Sequence, residues 1–207
     1  MPRANKPDKT NKRPNPNPRS KTRPQDSRKV RPGVVPWPLL RGLKGLVLDC
    51  DGVLTPGDLI YDVQGNRLLR FNARDGLGLA VLRRSGFPVA ILSGRPADIA
   101  EQRFRELGVN PFVGKCKDKN QGLLDICAQI GIPPRKCAFV GDDVADLPAF
   151  AACGLRIAVA DAVSEVLRDA DWITEAAGGR GAVREVCEAI LKARGEWEPL
   201  IERLRKS

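Results

Sequence analysis

The chain has 207 residues, 42% of them hydrophobic and 29% charged, with a formal net charge of +10. That length fits one globular domain plus an appendage, with enough apolar residues for a real core. Histidine is absent, which excludes histidine phosphotransfer, Ser-His-Asp and Cys-His nucleophile pairs, and every His-containing zinc site.

In chain order, residues 1–31 come first, with eleven Lys/Arg against Asp8 and Asp26, so nearly all of the net charge sits there. This Pro- and Asn-rich stretch has hardly any apolar residue before Val30 and cannot offset its ordering entropy. It reads as a disordered basic tail that Pro32, Pro36 and Pro38 extend to residue 38. Such a tail is either a solubilising extension or a salt-sensitive contact for nucleic acid; it lacks the aromatics that base stacking needs. Order is expected from Leu39.

Short apolar runs then alternate with helical stretches. Leu43–Leu48 reads as a buried strand ending at Asp49. Leu59–Tyr61 and Leu68–Phe71 flank Val63-Gln64-Gly65-Asn66 as a hairpin. Gly76–Arg84 is helical, and Pro88–Leu92 is a strand running into Ser93-Gly94. Ala100, Phe104 and Leu107 share a helical face, as do Leu123, Leu124, Cys127 and Ile130. Cys137–Val140 is a strand that stops at Gly141-Asp142; Arg156–Val159 and Trp172–Ile173 are further strands, and Ala182–Lys192 is a helix. Residues 196–207, with Trp197, Leu200, Ile201 and Leu204, form an amphipathic helical extension beyond a domain spanning 39–195. The alternation predicts a three-layer, Rossmann-like α/β fold with a mostly parallel sheet, its ligand at the carboxyl ends of the strands. Residues 53–92 hold only a hairpin, a helix and a strand, too little for a separate domain.

The six cysteines are scattered with no C-x-x-C pair, the pattern of reduced thiols rather than a disulfide scaffold. With no apolar run of membrane-spanning length and no signal-peptide core, a cytoplasmic protein is expected.

Asp49-Cys50-Asp51-Gly52-Val53-Leu54-Thr55 directly follows the first strand. Two carboxylates at i and i+2 can face one site once the chain turns: one as a nucleophile that needs no base, the other as general acid. Alone, the same segment also suits a capped turn or a calcium-like loop. A second acidic cluster, Gly141-Asp142-Asp143-Val144-Ala145-Asp146, again follows a strand. Two such clusters around a phosphate would repel without a hard cation, and their oxygen donors point to magnesium. Ser93 can hydrogen-bond a phosphoryl oxygen and Lys119 can neutralise it; taken singly, the first also reads as a helix cap and the second as a surface charge.

This ordered set resembles the haloacid dehalogenase superfamily of phosphotransferases. Phe71-Asn72-Ala73-Arg74-Asp75-Gly76, Ser93-Gly94-Arg95, Gly141-Asp142-Asp143 through Asp146-Leu147-Pro148, and the run Gly178–Cys187 narrow the resemblance to its uncapped phosphatases of sugar-acid phosphates. It covers Leu43 to Gly195 and implies that the β-hairpin within 53–92 is an insertion standing in place of a cap domain. The resemblance implies catalytic roles for Asp49 (nucleophile), Asp51 (acid/base), Ser93 and Lys119. Magnesium would be held by Asp49, Asp142 and the backbone carbonyl of Asp51, with Asp143 and Asp146 behind. Substrate contacts would come from Asp51, Asn72, Ala73, Arg74, Asp75, Gly76, Arg95, Arg103 and Lys119. Ala80 stands where relatives often carry a basic residue. Arg180 would reach a neighbouring subunit's site in a homotetramer. The implied reaction is hydrolysis of 3-deoxy-D-manno-octulosonate 8-phosphate in lipopolysaccharide precursor synthesis. The alternatives are a nine-carbon, sialic-type 9-phosphate, or a non-catalytic anion- or nucleic-acid-binding protein on the same fold.

Overall fold

The computed structural model describes residues 32–96 and 98–206. The tail expected over residues 1–31 therefore lies outside the described residues. After α1 (Trp37–Arg41) comes β1 (Gly45–Leu48), then a hairpin of β2 (Ile60–Tyr61) and β3 (Arg67–Leu68). Next are α2 (Ala73–Arg84), β4 (Val89–Leu92), α3 (Asp98–Leu107), β5 (Phe112–Val113) and α4 (Lys119–Gln129). The chain closes with β6 (Cys137–Gly141), α5 (Leu147–Ala152), β7 (Leu155–Ala158), α6 (Ser164–Asp169), β8 (Trp172–Ile173), α7 (Ala182–Ala193) and α8 (Trp197–Lys206).

The main sheet has six parallel strands in the order β5-β4-β1-β6-β7-β8. All residues of β1, β4 and β6 are buried, because helices cover both faces of a parallel sheet. Hence these strands read as continuous apolar runs instead of alternating. The helices pack as two groups, α1, α2, α3, α7 and α8 in one and α4, α5 and α6 in the other. Trp172, Phe104, Phe139, Leu46 and Leu48 are among the largest side chains sealed in the core. Strand order reverses at β1: the chain moves outward through β4 and β5, then returns to place β6 on the other side of β1. The carboxyl ends of β1 and β6, carrying Asp49 and Asp142, meet at that switch point, where open α/β sheets bind ligands.

Several boundaries differ from expectation. Order starts before Leu39: Gly33 N donates to Ile173 O at 3.0 Å, and α1 packs on α7. The proline-rich lead-in at 32–38 is thus part of the domain, held by backbone pairing that its composition does not advertise. Helix α2 begins three residues early because the Asn72 side chain accepts from Arg74 N at 2.8 Å and caps it. The hairpin's second strand ends at Leu68, since Asp62 gathers the turn by accepting from Gln64 N and Asn66 N and so sets a shorter register. Helices α5 and α6, of six residues each, and the two-residue β5 are too short to show a period. The C-terminal extension is helical, as expected. Among the described residues, no helix is long and apolar enough to cross a membrane.

Candidate active site

Asp49 leaves β1 still paired to β6, its N–H donating to Val140 O at 3.0 Å. The chain then turns sharply. Leu54 and Thr55 N–H both donate to Cys50 O, and Gly52 adopts φ +88°. Only glycine fits there, since a Cβ would overlap the Asp142 carboxylate. Asp49 is buried and Asp51, two residues on across this turn, is half-buried.

Lys119 opens α4, whose first turn is capped by the Asp118 side chain accepting from Asn120 N and Gln121 N. It is no surface charge: only 6% exposed, its Nζ donates to Asp49 Oδ1 at 2.7 Å and to Asp146 Oδ1 at 2.5 Å. Asp146 Oδ2 accepts from Asp142 N at 2.9 Å and Asp143 N at 3.2 Å. Both oxygens of Asp146 are thereby engaged, and it braces the loop after β6. Asp143 is exposed and accepts from Val144 N, capping the short 3-10 turn Val144–Asp146.

Asp49, Asp142 and Asp146 each place a carboxylate oxygen within 4.8 Å of the others. Burial, and then the charge of Asp146, raise the Asp49 carboxyl to about 6 despite Lys119. Burial, with the charges of Asp49 and Asp146, raises Asp142 to about 8. Burial alone would lower Lys119, yet Asp49 and Asp146 together outweigh it and hold the ammonium above the ordinary lysine range. Three carboxylates thus face one ammonium, and Asp142 Oδ1 is buried with no hydrogen-bond partner. Hard oxygen donors, excess negative charge and an orphaned carboxylate oxygen all fit a magnesium ion.

Ser93, directly after β4, is buried; its Oγ accepts from Arg95 N at 3.1 Å within a loop and caps no helix. Asp51 faces two guanidiniums: Arg67 Nη2 lies 2.7 Å from Oδ1 and Arg95 Nε 3.6 Å from Oδ2. Arg67 carries no motif and was not among the expected site residues. Its only sequence signal is a basic residue in a hairpin otherwise read as an insertion.

The remaining expected contacts divide. Ala73 and Arg74 are exposed at the start of α2, whereas Asn72 is spent on capping that helix. Gly76 is buried beneath Arg103, whose guanidinium a Cβ would strike and which pairs with Glu106 at 3.1 Å. Asp75 is buried. Its carboxylate is 1% exposed and accepts from Gly181 N at 3.1 Å and Arg184 N at 2.7 Å, capping α7 from across the fold. Both of its oxygens thereby satisfy amides at the start of α7 that the helix itself leaves unpaired. Asp75→Ala is expected to lower the unfolding free energy by about 2 kcal/mol, the cost of stranding these amides. Urea denaturation at constant m-value checks this.

Arg180 is exposed and makes no ion pair among the described residues. Its glycine strip packs on the same chain's loop after β1: Gly179 N donates to Val53 O at 2.8 Å, and Gly178 N to Asp161 Oδ1 at 2.8 Å. A Cβ at Gly178 would overlap Gly52 O, so two backbones touch there. A cavity of about 390 Å³ lies elsewhere, lined by Glu101, Phe104, Val109 and Phe112, and Asp49, Asp51, Asp142 and Asp146 are not among its lining residues.

The chain matches the model of the haloacid dehalogenase-like hydrolases over residues 73–154. It is 41% identical over 157 residues to the 3-deoxy-D-manno-octulosonate 8-phosphate phosphatase of Haemophilus influenzae, covering 76% of this chain and 87% of that one. A crystal structure of the enzyme of that name from Moraxella catarrhalis, in complex with magnesium, phosphate and KDO, superposes with a TM-score of 0.78 at 36% identity, covering 81% of this chain and 97% of that one. The cobalt-bound Haemophilus influenzae phosphatase superposes with a TM-score of 0.74 at 41% identity, over 77% of this chain and 93% of that one. With its two aspartate clusters at the sheet's switch point and relatives of this identity along most of its length, the chain belongs to the 3-deoxy-D-manno-octulosonate 8-phosphate phosphatase family of haloacid dehalogenase-like hydrolases.

Proposed function

We propose that the protein hydrolyses 3-deoxy-D-manno-octulosonate 8-phosphate to the free sugar acid and phosphate, with Mg2+ as cofactor, in lipopolysaccharide precursor synthesis in the cytoplasm. The observation that carries this is the buried Asp49 carboxylate, held by Lys119 beside Asp142 and two residues from Asp51, in a chain 41% identical to phosphatases of that substrate.

Asp49 attacks phosphorus, forming its acyl–phosphate bond as the bond from phosphorus to the sugar oxygen breaks. Asp51 gives that oxygen a proton, then takes one from the water that hydrolyses the aspartyl phosphate. Lys119 and the Ser93 hydroxyl bind phosphoryl oxygens, and Arg95 meets the anionic substrate at the mouth. Held by Asp49, Asp142 and the Asp51 backbone carbonyl, magnesium supplies Lewis-acid charge that offsets the carboxylates and the phosphoryl group. Asp146 and Asp143 keep the β6 loop in place. The exposed Ala73 and Arg74 at the start of α2, with the half-buried Asn72 and Arg103 beside them, meet the sugar acid.

A panel of phosphate-release assays tests the substrate: the octulosonate 8-phosphate, a nine-carbon sialic-type 9-phosphate, and nucleotides. The first is expected to be the best by kcat/KM. Preference for nucleotides would overturn the reading, and tight RNA or DNA binding without turnover would favour a binding protein.

The same reading includes a homotetramer. The hairpin exposes Leu59, Ile60, Tyr61, Val63 and Leu68, and a two-stranded hairpin is marginal in water unless something covers it. A neighbouring subunit would cover it and close a site that has no cap domain, with Arg180 reaching across. The packing of the glycine strip on its own chain's Gly52–Pro56 loop favours a second reading, in which Arg180 serves the site of its own chain. Hybrid oligomers of Asp49→Asn and Arg180→Ala chains separate the two. Restored activity is expected if Arg180 acts across the interface, and none if it acts within its chain.

A further inference from the structure

The hairpin brings a charged residue into the site that neither motif spacing nor the reaction scheme above uses. Arg67 stands on β3, paired across the ribbon with Tyr61, and its guanidinium reaches sixteen residues back to Asp51. The contact is short, 2.7 Å from Nη2 to Oδ1, and well shielded, with the two side chains 15% and 21% exposed. Arg95, the other guanidinium near Asp51, is looser: 3.6 Å from Oδ2 and 46% exposed. The two carboxyl oxygens are therefore unequal. Oδ1 accepts a charge-assisted hydrogen bond, and Oδ2, 3.6 Å from Arg95 Nε, is the less engaged of the two. The Arg67 Nε is buried without a partner, so the guanidinium is placed by its contact with Asp51 and not by a wider network.

We infer that Arg67 is a positioning residue for the reaction: by engaging Oδ1 of Asp51 it fixes the carboxyl plane and makes Oδ2 the oxygen that hands its proton to the leaving group. The hairpin is then a working part of the active site and not only an insertion in place of a cap. The inference rests on the reading of Asp51 as acid/base.

Leaving-group chemistry tests it. An alkoxide is a poor leaving group and needs the proton, whereas p-nitrophenolate leaves readily without one. First-turnover rates are measured on p-nitrophenyl phosphate and on whichever primary alkyl phosphate the wild type turns over best. Single-turnover conditions keep hydrolysis of the phosphorylated enzyme out of the comparison. Arg67→Met keeps the aliphatic stem and removes the guanidinium. It is expected to lower the alkyl rate relative to the aryl rate about tenfold, with the half-saturating concentration within about twofold. Asp51→Asn is expected to shift the same ratio further. In the Asp51→Asn background, Arg67→Met should change the alkyl rate less than about twofold, because both act through one carboxyl. If Asp51→Asn moves the ratio and Arg67→Met does not, the inference fails alone. If Asp51→Asn leaves the ratio unmoved, the acid/base reading falls and the inference with it. Equal loss on both substrates, a weaker half-saturation with the rate intact, or an undiminished effect in the double variant would each overturn the positioning role. The alkyl arm does not depend on the substrate being the octulosonate.

Discussion

Asp49→Asn is expected to abolish turnover, by roughly 10⁴-fold or more, while leaving the fold intact. An amide nitrogen has no lone pair available for phosphorus, and the chain has no histidine to replace it. Stability gives the internal control. Burial and the charge of Asp146 raise the Asp49 carboxyl to about 6, so the metal-free site holds this charge at a cost. Replacing it with a neutral amide removes that cost, and Lys119 keeps Asp146 as its partner. The metal-free variant should therefore melt no lower than the wild type. Asp51→Asn is expected to lose about 10²–10⁴-fold, the usual worth of a general acid or base. Borohydride trapping of the acyl phosphate followed by peptide mapping should mark Asp49; a label on any other residue would overturn the assignment.

The second large effect couples pH to magnesium. Asp49 is raised to about 6 and Asp142 to about 8, both from 3.8. A raised carboxyl binds its proton more tightly in the folded protein than in the unfolded chain. Its stabilising contribution is complete below about pH 4 and is lost as pH climbs through the folded values, from about 6 to about 8. The metal-free protein should thus lose stability on going from pH 6 to pH 8.5. Bound magnesium competes with those protons for the same oxygens, so it should restore stability most where they are gone. The gap in Tm with and without saturating magnesium is expected to widen between pH 6 and pH 8.5 by on the order of 5 °C. Calorimetry in EDTA and in magnesium reads this directly. A gap that stays constant with pH, or activity that survives EDTA, would show that these carboxylates do not hold the cation.

Much of the site was legible in the sequence because its parts are local. Asp49 with Asp51, Ser93, and Asp142 with Asp146 each follow an apolar run that a two-sided parallel sheet requires, and strand ends are where such sheets present side chains. Strand–helix alternation likewise carried the fold class, since burying both faces of the strands leaves few other architectures. The short elements β5, α5 and α6 escaped because six residues or fewer show no period, and the structure of residues 32–38 escaped because it depends on long-range contacts, Gly33 with Ile173 and α1 with α7.

What only the tertiary structure decided is how long-range partners divide the labour. Asp75 lies within a motif read as substrate-binding, and its carboxylate also caps a helix that begins 107 residues later, a contact no local pattern announces. Lys119 is one of many lysines in the sequence; only the crossing of α4 over the sheet buries it between Asp49 and Asp146, where two carboxylates compensate its desolvation. Arg67 became a partner of Asp51 through the fold-back of a short ribbon whose place the sequence signalled but whose reach over Asp51 it did not. Local pattern determined which residue types stand at strand ends. Which of them meet is a matter of strand order and helix crossing, and those are decided by packing the whole core at once.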